Sequence, residues 1–143
     1  MAEDSGEGIY RAMVEDKDGL PVLGLAAVKL GVRPGVDIVP DQQGMVHRPH
    51  FRPGDANGLS CSPTIQDLPP FAIPIEWGGS NPRTVVWRIE PTDLGAELVA
   101  QEDTAPQSKG RHISIGPSGA MHFDEYLRAV QATRSKWTKV TNC

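Results

Sequence analysis

Three short stretches of this chain carry side chains that do chemistry if they converge. Arg11 lies in "GIYRAMV" (Gly8 to Val14), Ser60 and Ser62 in "NGLSCSPT" (Asn57 to Thr64), and His112 with Ser114 in "RHISIG" (Arg111 to Gly116). Residues two apart in an extended strand point the same way. Ser60, Ser62 and Thr64 are therefore expected on one face, with Leu59 and Cys61 on the other. By the same rule Ile9 and Arg11 oppose Tyr10 and Ala12, and Ile113 and Ile115 oppose His112 and Ser114. Each polar group has an ordinary reading when taken alone: a surface ion pair for Arg11, a solvated strand face for the serines, a structural histidine for His112. Together they make a cleft with a permanent cation, hydroxyl donors and a group that titrates near neutrality. A dinucleotide suits such a cleft, because a guanidinium offers a planar fork to pyrophosphate or ribose and hydroxyls anchor a carboxamide.

The elements that must position these groups are short. "DKDG" reads as a turn after the first strand. "LPVLGLAAVKLGV" is apolar enough for a short helix or a buried strand, and periodicity does not choose between them. Residues 40 to 57 read as loop with two tight turns. "DLPPFAIPIEWGGSNP" cannot be a central strand, since its prolines remove ladder donors. "RTVVWRIE" (Arg83 to Glu90) is the clearest strand: Val85, Trp87 and Ile89 alternate with Thr84, Arg88 and Glu90, and Val86 is the one exception. "AELVAQED" (Ala96 to Asp103) and "RHISIG" read as further strands. In the final segment Phe123, Tyr126, Leu127 and Val130 follow helical spacing, with Trp137 expected two turns later on the same side. The expectation is a mostly β, α+β domain with its helix last.

Composition bounds the function. The chain has 143 residues, enough for one domain with its own core, and 1–7 are expected to be flexible. Thirteen prolines and fifteen glycines favour short elements over a helical bundle. A net charge of −4 argues against general binding to nucleic-acid phosphates. No apolar run approaches the roughly 20 residues of a membrane span, so no membrane partner is expected. The opening "MAEDSGEGIY" lacks the basic and apolar regions of a signal peptide. The two cysteines, Cys61 and Cys143, do not form a disulfide framework, which suits synthesis in a reducing cytoplasm.

Other residue clusters are weaker. His47, His50, His112 and His122 could suggest zinc, but "HRPH" contains Pro49 and no acidic residue, so no metal is expected. Cys61 alternates with the serines and should face the core, not act as a nucleophile. Trp77, Trp87 and Trp137 fit packing better than a stacking platform. "EDTAPQSKGR" (Glu102 to Arg111) reads as a surface loop able to close over a ligand.

The order of these motifs resembles the small ADP-ribosyltransferase-like toxins exported by bacterial type VI secretion systems, the Tse2-type effectors. The matching pieces are "IYRA", "DIVPDQQGMVHRP", "GLSCS", "RIEPTDLGAELVAQED", "RHISIGPSGAM" and a terminal helix ending in Trp137. They run in the family's order from about Gly8 to Trp137. The resemblance implies a compact fold with a split β-sheet core, an NAD-binding cleft, and cytotoxic ADP-ribosyl transfer or NAD hydrolysis. It also implies delivery into a target-cell cytoplasm through a secretion apparatus, and neutralisation by a cognate immunity protein. Carried over by position, Arg11 is the first-strand arginine, Ser60 the central hydroxyl and Ser62 its support, with Tyr10 beside them on the NAD side. The third catalytic position is normally a glutamate that stabilises an oxocarbenium-like transition state. Gln101 and Glu102 stand in the right order for it, and the better-matched "RHISI" offers His112. A toxin that binds without turnover, or a plain structural β domain, remains the competing expectation.

Overall fold

The computed structural model describes residues 8–49, 57–103 and 112–141. Expectations that fall on 1–7, His50, the tract 104–111 and Cys143 lie outside those residues. The described elements are β1 (Ile9–Val14), β2 (Met45–Val46), β3 (Leu59–Cys61), β4 (Thr84–Ile89), β5 (Leu98–Asp103), β6 (His112–Pro117), β7 (Met121–His122), α1 (Phe123–Ala132) and β8 (Thr138–Val140). All strand pairings are antiparallel. One sheet runs β1-β4-β8, a second β3-β6-β5, and β2 with β7 makes a small third.

Among the described residues, one backbone bridge joins the two larger sheets. Tyr10 and Ser62 exchange backbone hydrogen bonds of 2.8 and 2.9 Å. Apolar faces then pack into one main core, with Ile9 and Met13 from β1, Trp87 and Ile89 from β4, and Ile113 and Ile115 from β6. Tyr126 and Val130 of α1 and the downstream Trp137 complete it. Val86, the exception to alternation in β4, is explained by the opposite face of the β1-β4-β8 sheet. There it packs in a second cluster with Ala12, Leu68 and Ala72. A strand covered on both faces needs apolar residues at both parities.

Tyr126 ties the helix to the second sheet. Its hydroxyl donates to the Ile115 carbonyl at 2.5 Å and accepts from the Leu59 N–H at 3.1 Å. Burial pushes its phenol well above the ordinary tyrosine value. The close approach requires Gly58, whose φ is +134° and whose missing Cβ would lie 2.4 Å from the Ile115 oxygen.

Two expectations need correction. The stretch from Leu20 to Val32 is neither helix nor strand. It doubles back through isolated bridges, Glu15 with Pro21 and Leu23 with Leu30, because Pro21 and Gly24 break both regular patterns. The helix is also not the last element. α1 ends at Ala132, a 3-10 turn covers Arg134–Lys136, and β8 then pairs with the free edge of β4. Trp137 is buried as expected, at 2% exposure, but from the connection and not from the helix. The proline-rich segment forms three 3-10 turns (Ile65–Asp67, Pro70–Ala72, Ile75–Trp77), consistent with its lack of ladder donors. Among the described residues, no helix is long and apolar enough to cross a membrane.

Candidate functional site

Beyond the Tyr10–Ser62 bridge, β1 and β3 diverge, and Arg11 fills the gap. Just past β3 the backbone groups of Ser62 face β1, so those of Ser60, two residues earlier, face the same way. A continued ladder would pair Ser60 with a backbone N–H. Instead the Ser60 carbonyl accepts from Arg11 Nη1 at 2.6 Å. Arg11 Nη2 donates to the carbonyls of Ala27 at 3.0 Å and Lys29 at 2.8 Å, in the doubled-back segment beside β1. The guanidinium is thus a polar wedge where the sheet splits. It is only 6% exposed, no carboxylate bonds to it among the described residues, and desolvation by burial lowers its pKa from the usual arginine value. Its Nε–H is buried and has no partner among the described residues.

The same split opens a cavity of about 230 Å3. Arg11, Ser60, Arg33, Asp37 and the exposed ring of Phe71 line it, above a floor that includes Ala12 and Leu68. Ser60 is half-buried, and its Oγ lies 2.8 Å from His112 Nε2. This contact follows from register: Ser60 opposes Ser114, and His112 is two residues from Ser114 on the same face. A hydroxyl bonded to an imidazole can pass a proton to it, or be held by it as an acceptor for a ligand.

The remaining sequence-predicted residues are dispersed. Glu102 opposes Ile113 in register, and Ile113 opposes Cys61, so Glu102 shares the core-facing side of the β3-β6-β5 sheet. It lines a different cavity, of about 370 Å3, with Ile9, Pro63 and Leu94. The Ser60 and His112 side chains occupy the other face. The transferase-type role considered for Glu102 is therefore not supported by its placement. Gln101, its neighbour, opposes Ser114 and does lie on the serine face. Ser62 is 2% exposed and donates its hydroxyl to the Asp67 carbonyl at 3.1 Å, which braces the first 3-10 turn. Tyr10 is outside the cavity lining, with the Arg88 guanidinium 6.0 Å over its ring.

Cys61 faces the core as expected, and burial pushes its thiol up to about 12. His47 pairs with Asp41 at 2.9 Å, and His122 caps α1 by accepting from the Asp124 N–H at 3.1 Å. Sequence reasoning missed Arg33, Asp37 and Phe71. Arg33 and Asp37 flank the turn "RPGVD" four residues apart, a spacing that reads as an i,i+4 pair only when the backbone curls as it does here. The chain matches no family model, no curated protein and no solved structure. Function must therefore be argued from the site.

Proposed function

We propose that this protein is an NAD-consuming toxin that transfers ADP-ribose from NAD, or hydrolyses NAD, inside a target cell. The observation that carries the reading is a cavity at the split between sheets that Arg11 and Ser60 line from separate strands, with His112 of a third strand bonded to Ser60. The meeting of two three-stranded antiparallel sheets at one bridge supports, in the same proposal, an ADP-ribosyltransferase-like architecture. NAD fits the site at one end only. Ligand pockets for drug-sized molecules run to about 300–1,000 Å3, so a cavity near 230 Å3 takes a nicotinamide and its ribose while the adenosine half lies outside. The Arg11 side chain supplies positive charge to the cavity wall, Ser60 Oγ can bond a carboxamide or ribose hydroxyl, and Phe71 offers a face for the ring. NAD supplies a glycosidic bond to a good leaving group. The protein's own residues bind that end, exclude water from it and, through His112, accept the proton of the attacking oxygen.

A cognate immunity protein as inhibitor and a secretion-apparatus component as carrier belong to the same proposal. A second reading, a toxin acting by binding alone, is favoured by one feature: the guanidinium of Arg11 already serves three backbone carbonyls. Expression of the wild-type gene in a naive bacterial cytoplasm tests for toxicity, and labelled NAD added to a lysate of those cells separates the readings. Growth arrest with label transferred to macromolecules, or with free nicotinamide released, supports turnover. Growth arrest with NAD untouched supports binding alone, and unimpaired growth at high expression rejects both.

A further inference from the structure

At the Val14 end of the β1–β4 ladder, where Val14 opposes Thr84, the surface opens into a groove of about 290 Å3. Val14, Val28, Lys29, Asn81, Arg83 and Thr84 line it. Its neutral polar side chains are already used inside the protein. Asn81 Oδ1 accepts from the N–H groups of Arg83 and Thr84 at 2.8 and 3.1 Å, and its Nδ2 donates to the Phe71 carbonyl at 3.1 Å. Thr84 Oγ1 donates to the Ala72 carbonyl at 2.7 Å. Two cations remain. Neither Lys29 nor Arg83 has an ion pair among the described residues, and none of the described lining residues is acidic. The acidic residues that follow Val14 are engaged elsewhere, Glu15 by Lys139 at 2.9 Å and Asp16 by Arg134 at 3.2 Å. Lys29 is fixed at its backbone, where its N–H donates to the Ala26 carbonyl at 3.1 Å and its carbonyl accepts from Arg11. Its stem passes so close to Gly24 that a Cβ there would lie 2.7 Å from Lys29 Cδ. On a chain of net charge −4, two unpaired cations on one apolar-walled groove mark a place for an anion.

We propose that this groove binds a small organic phosphate monoester, at a site separate from the cavity at Ser60. The inference does not rest on the NAD chemistry. Charge chooses the class first: a phosphate monoester carries about −1.5 to −2 near neutrality, which one lysine and one arginine match. Lysine meets a phosphoryl group as a point charge and arginine meets it as a planar fork. Arg11 takes the Lys29 carbonyl, which leaves the ammonium to the groove. The half-buried side chains of Val14 and Val28 add apolar contact for an organic group, which inorganic phosphate lacks. Size sets the upper bound. A groove near 290 Å3 falls below the roughly 300–1,000 Å3 of pockets for drug-sized ligands, so the ester is a small one.

The test titrates isotope-labelled protein with phenyl phosphate and, separately, with inorganic phosphate, at low salt and about pH 7.5, above the second phosphate pKa of about 6. Amide chemical shifts locate the binding, and thermal unfolding checks the fold. Wild type is compared with Lys29→Gln, Arg83→Gln and Lys17→Gln, since Lys17 is an exposed cation outside the groove. The expected result is saturable shifts centred on Val14, Val28, Lys29, Arg83 and Thr84, with phenyl phosphate bound more tightly than inorganic phosphate. Lys29→Gln and Arg83→Gln should each weaken binding by about five- to tenfold, between a screened surface pair and a charge-assisted bond. Both should melt with the wild type, because neither cation has an ion pair to lose, and Lys17→Gln should bind as the wild type does. Shifts that do not saturate, or that centre on the cavity of Arg11 and Arg33, would overturn the proposal. Equal weakening in all three variants would reduce the binding to a diffuse charge effect and overturn it as well. Equal affinity for the two phosphates would leave a bare anion site and overturn the monoester assignment.

Discussion

Replacing Arg11 by alanine removes the guanidinium from the split between β1 and β3 and leaves the carbonyls of Ser60, Ala27 and Lys29 without its donors. Hydrogen bonds to a charged group contribute about 1.5–3 kcal/mol each, so the gross loss is about 5–9 kcal/mol. The desolvation of a buried guanidinium, visible in its lowered pKa, offsets several kcal/mol of that. The expected net cost is about 3–5 kcal/mol, the range for deleting one partner of a buried charged network. For a domain of this size that corresponds to a fall in melting temperature of roughly 6–20 °C. Urea unfolding followed by far-UV circular dichroism reads the free energy directly. Arg11→Met keeps the aliphatic stem packed and isolates the loss of the hydrogen bonds. A loss below about 1 kcal/mol in both variants would refute the wedge role. Any drop in toxicity for Arg11→Ala must accordingly be judged against the amount of folded protein.

Four further outcomes follow from the same contacts. Tyr126→Phe should cost about 1–3 kcal/mol, since a buried carbonyl and a buried N–H lose their shared partner; chemical denaturation checks it, and a cost near zero contradicts it. In a Cys143→Ser background, Cys61 should resist thiol reagents at pH 8 until the protein unfolds, because its thiol is buried and pushed up to about 12; rapid native-state labelling would place it elsewhere. Ile113→Ala should destabilise by about 2–5 kcal/mol, whereas His112→Ala should impair function with little change in melting temperature; the reverse would invert the faces of β6. Bonding to Arg134 depresses the Asp18 carboxyl in the folded state, so its contribution is present above the unfolded pKa and is lost as pH falls through the folded one. Asp18→Asn should therefore flatten the decline of stability below about pH 4, and an unchanged acid limb in a pH series of melting temperatures would contradict it.

The strand faces were legible in the sequence wherever alternation was unbroken. Arg11 against Tyr10, Ser60 against Cys61 and His112 against Ile113 all fall as period two requires. The same parity rule sets Glu102 on the core-facing side, opposite Ile113. One position along β5 separates it from Gln101, and one position is one face of a sheet. Which of the two meets the serines depends on pairing with β6, a nonlocal fact that order along the chain does not contain. β8 was missed because "TKV" is too short for a period and forms only by completing the edge of β4. The cavity itself was not legible. It arises where two sheets diverge after one bridge, and its walls come from a turn at 33–37 and a 3-10 segment near Phe71, neither of which carries a periodic signal.

Release of nicotinamide from NAD+ by the purified protein is the most direct measurement of the central claim, with wild type, Ser60→Ala and His112→Ala compared at matched folded concentration. The expected result is time-dependent release by wild type in the presence of susceptible lysate, reduced at least tenfold in each variant while their melting temperatures hold. Release at the wild-type rate by a folded Ser60→Ala, or no release by a wild-type protein that arrests growth, would contradict the claim that the cavity at Ser60 turns over NAD.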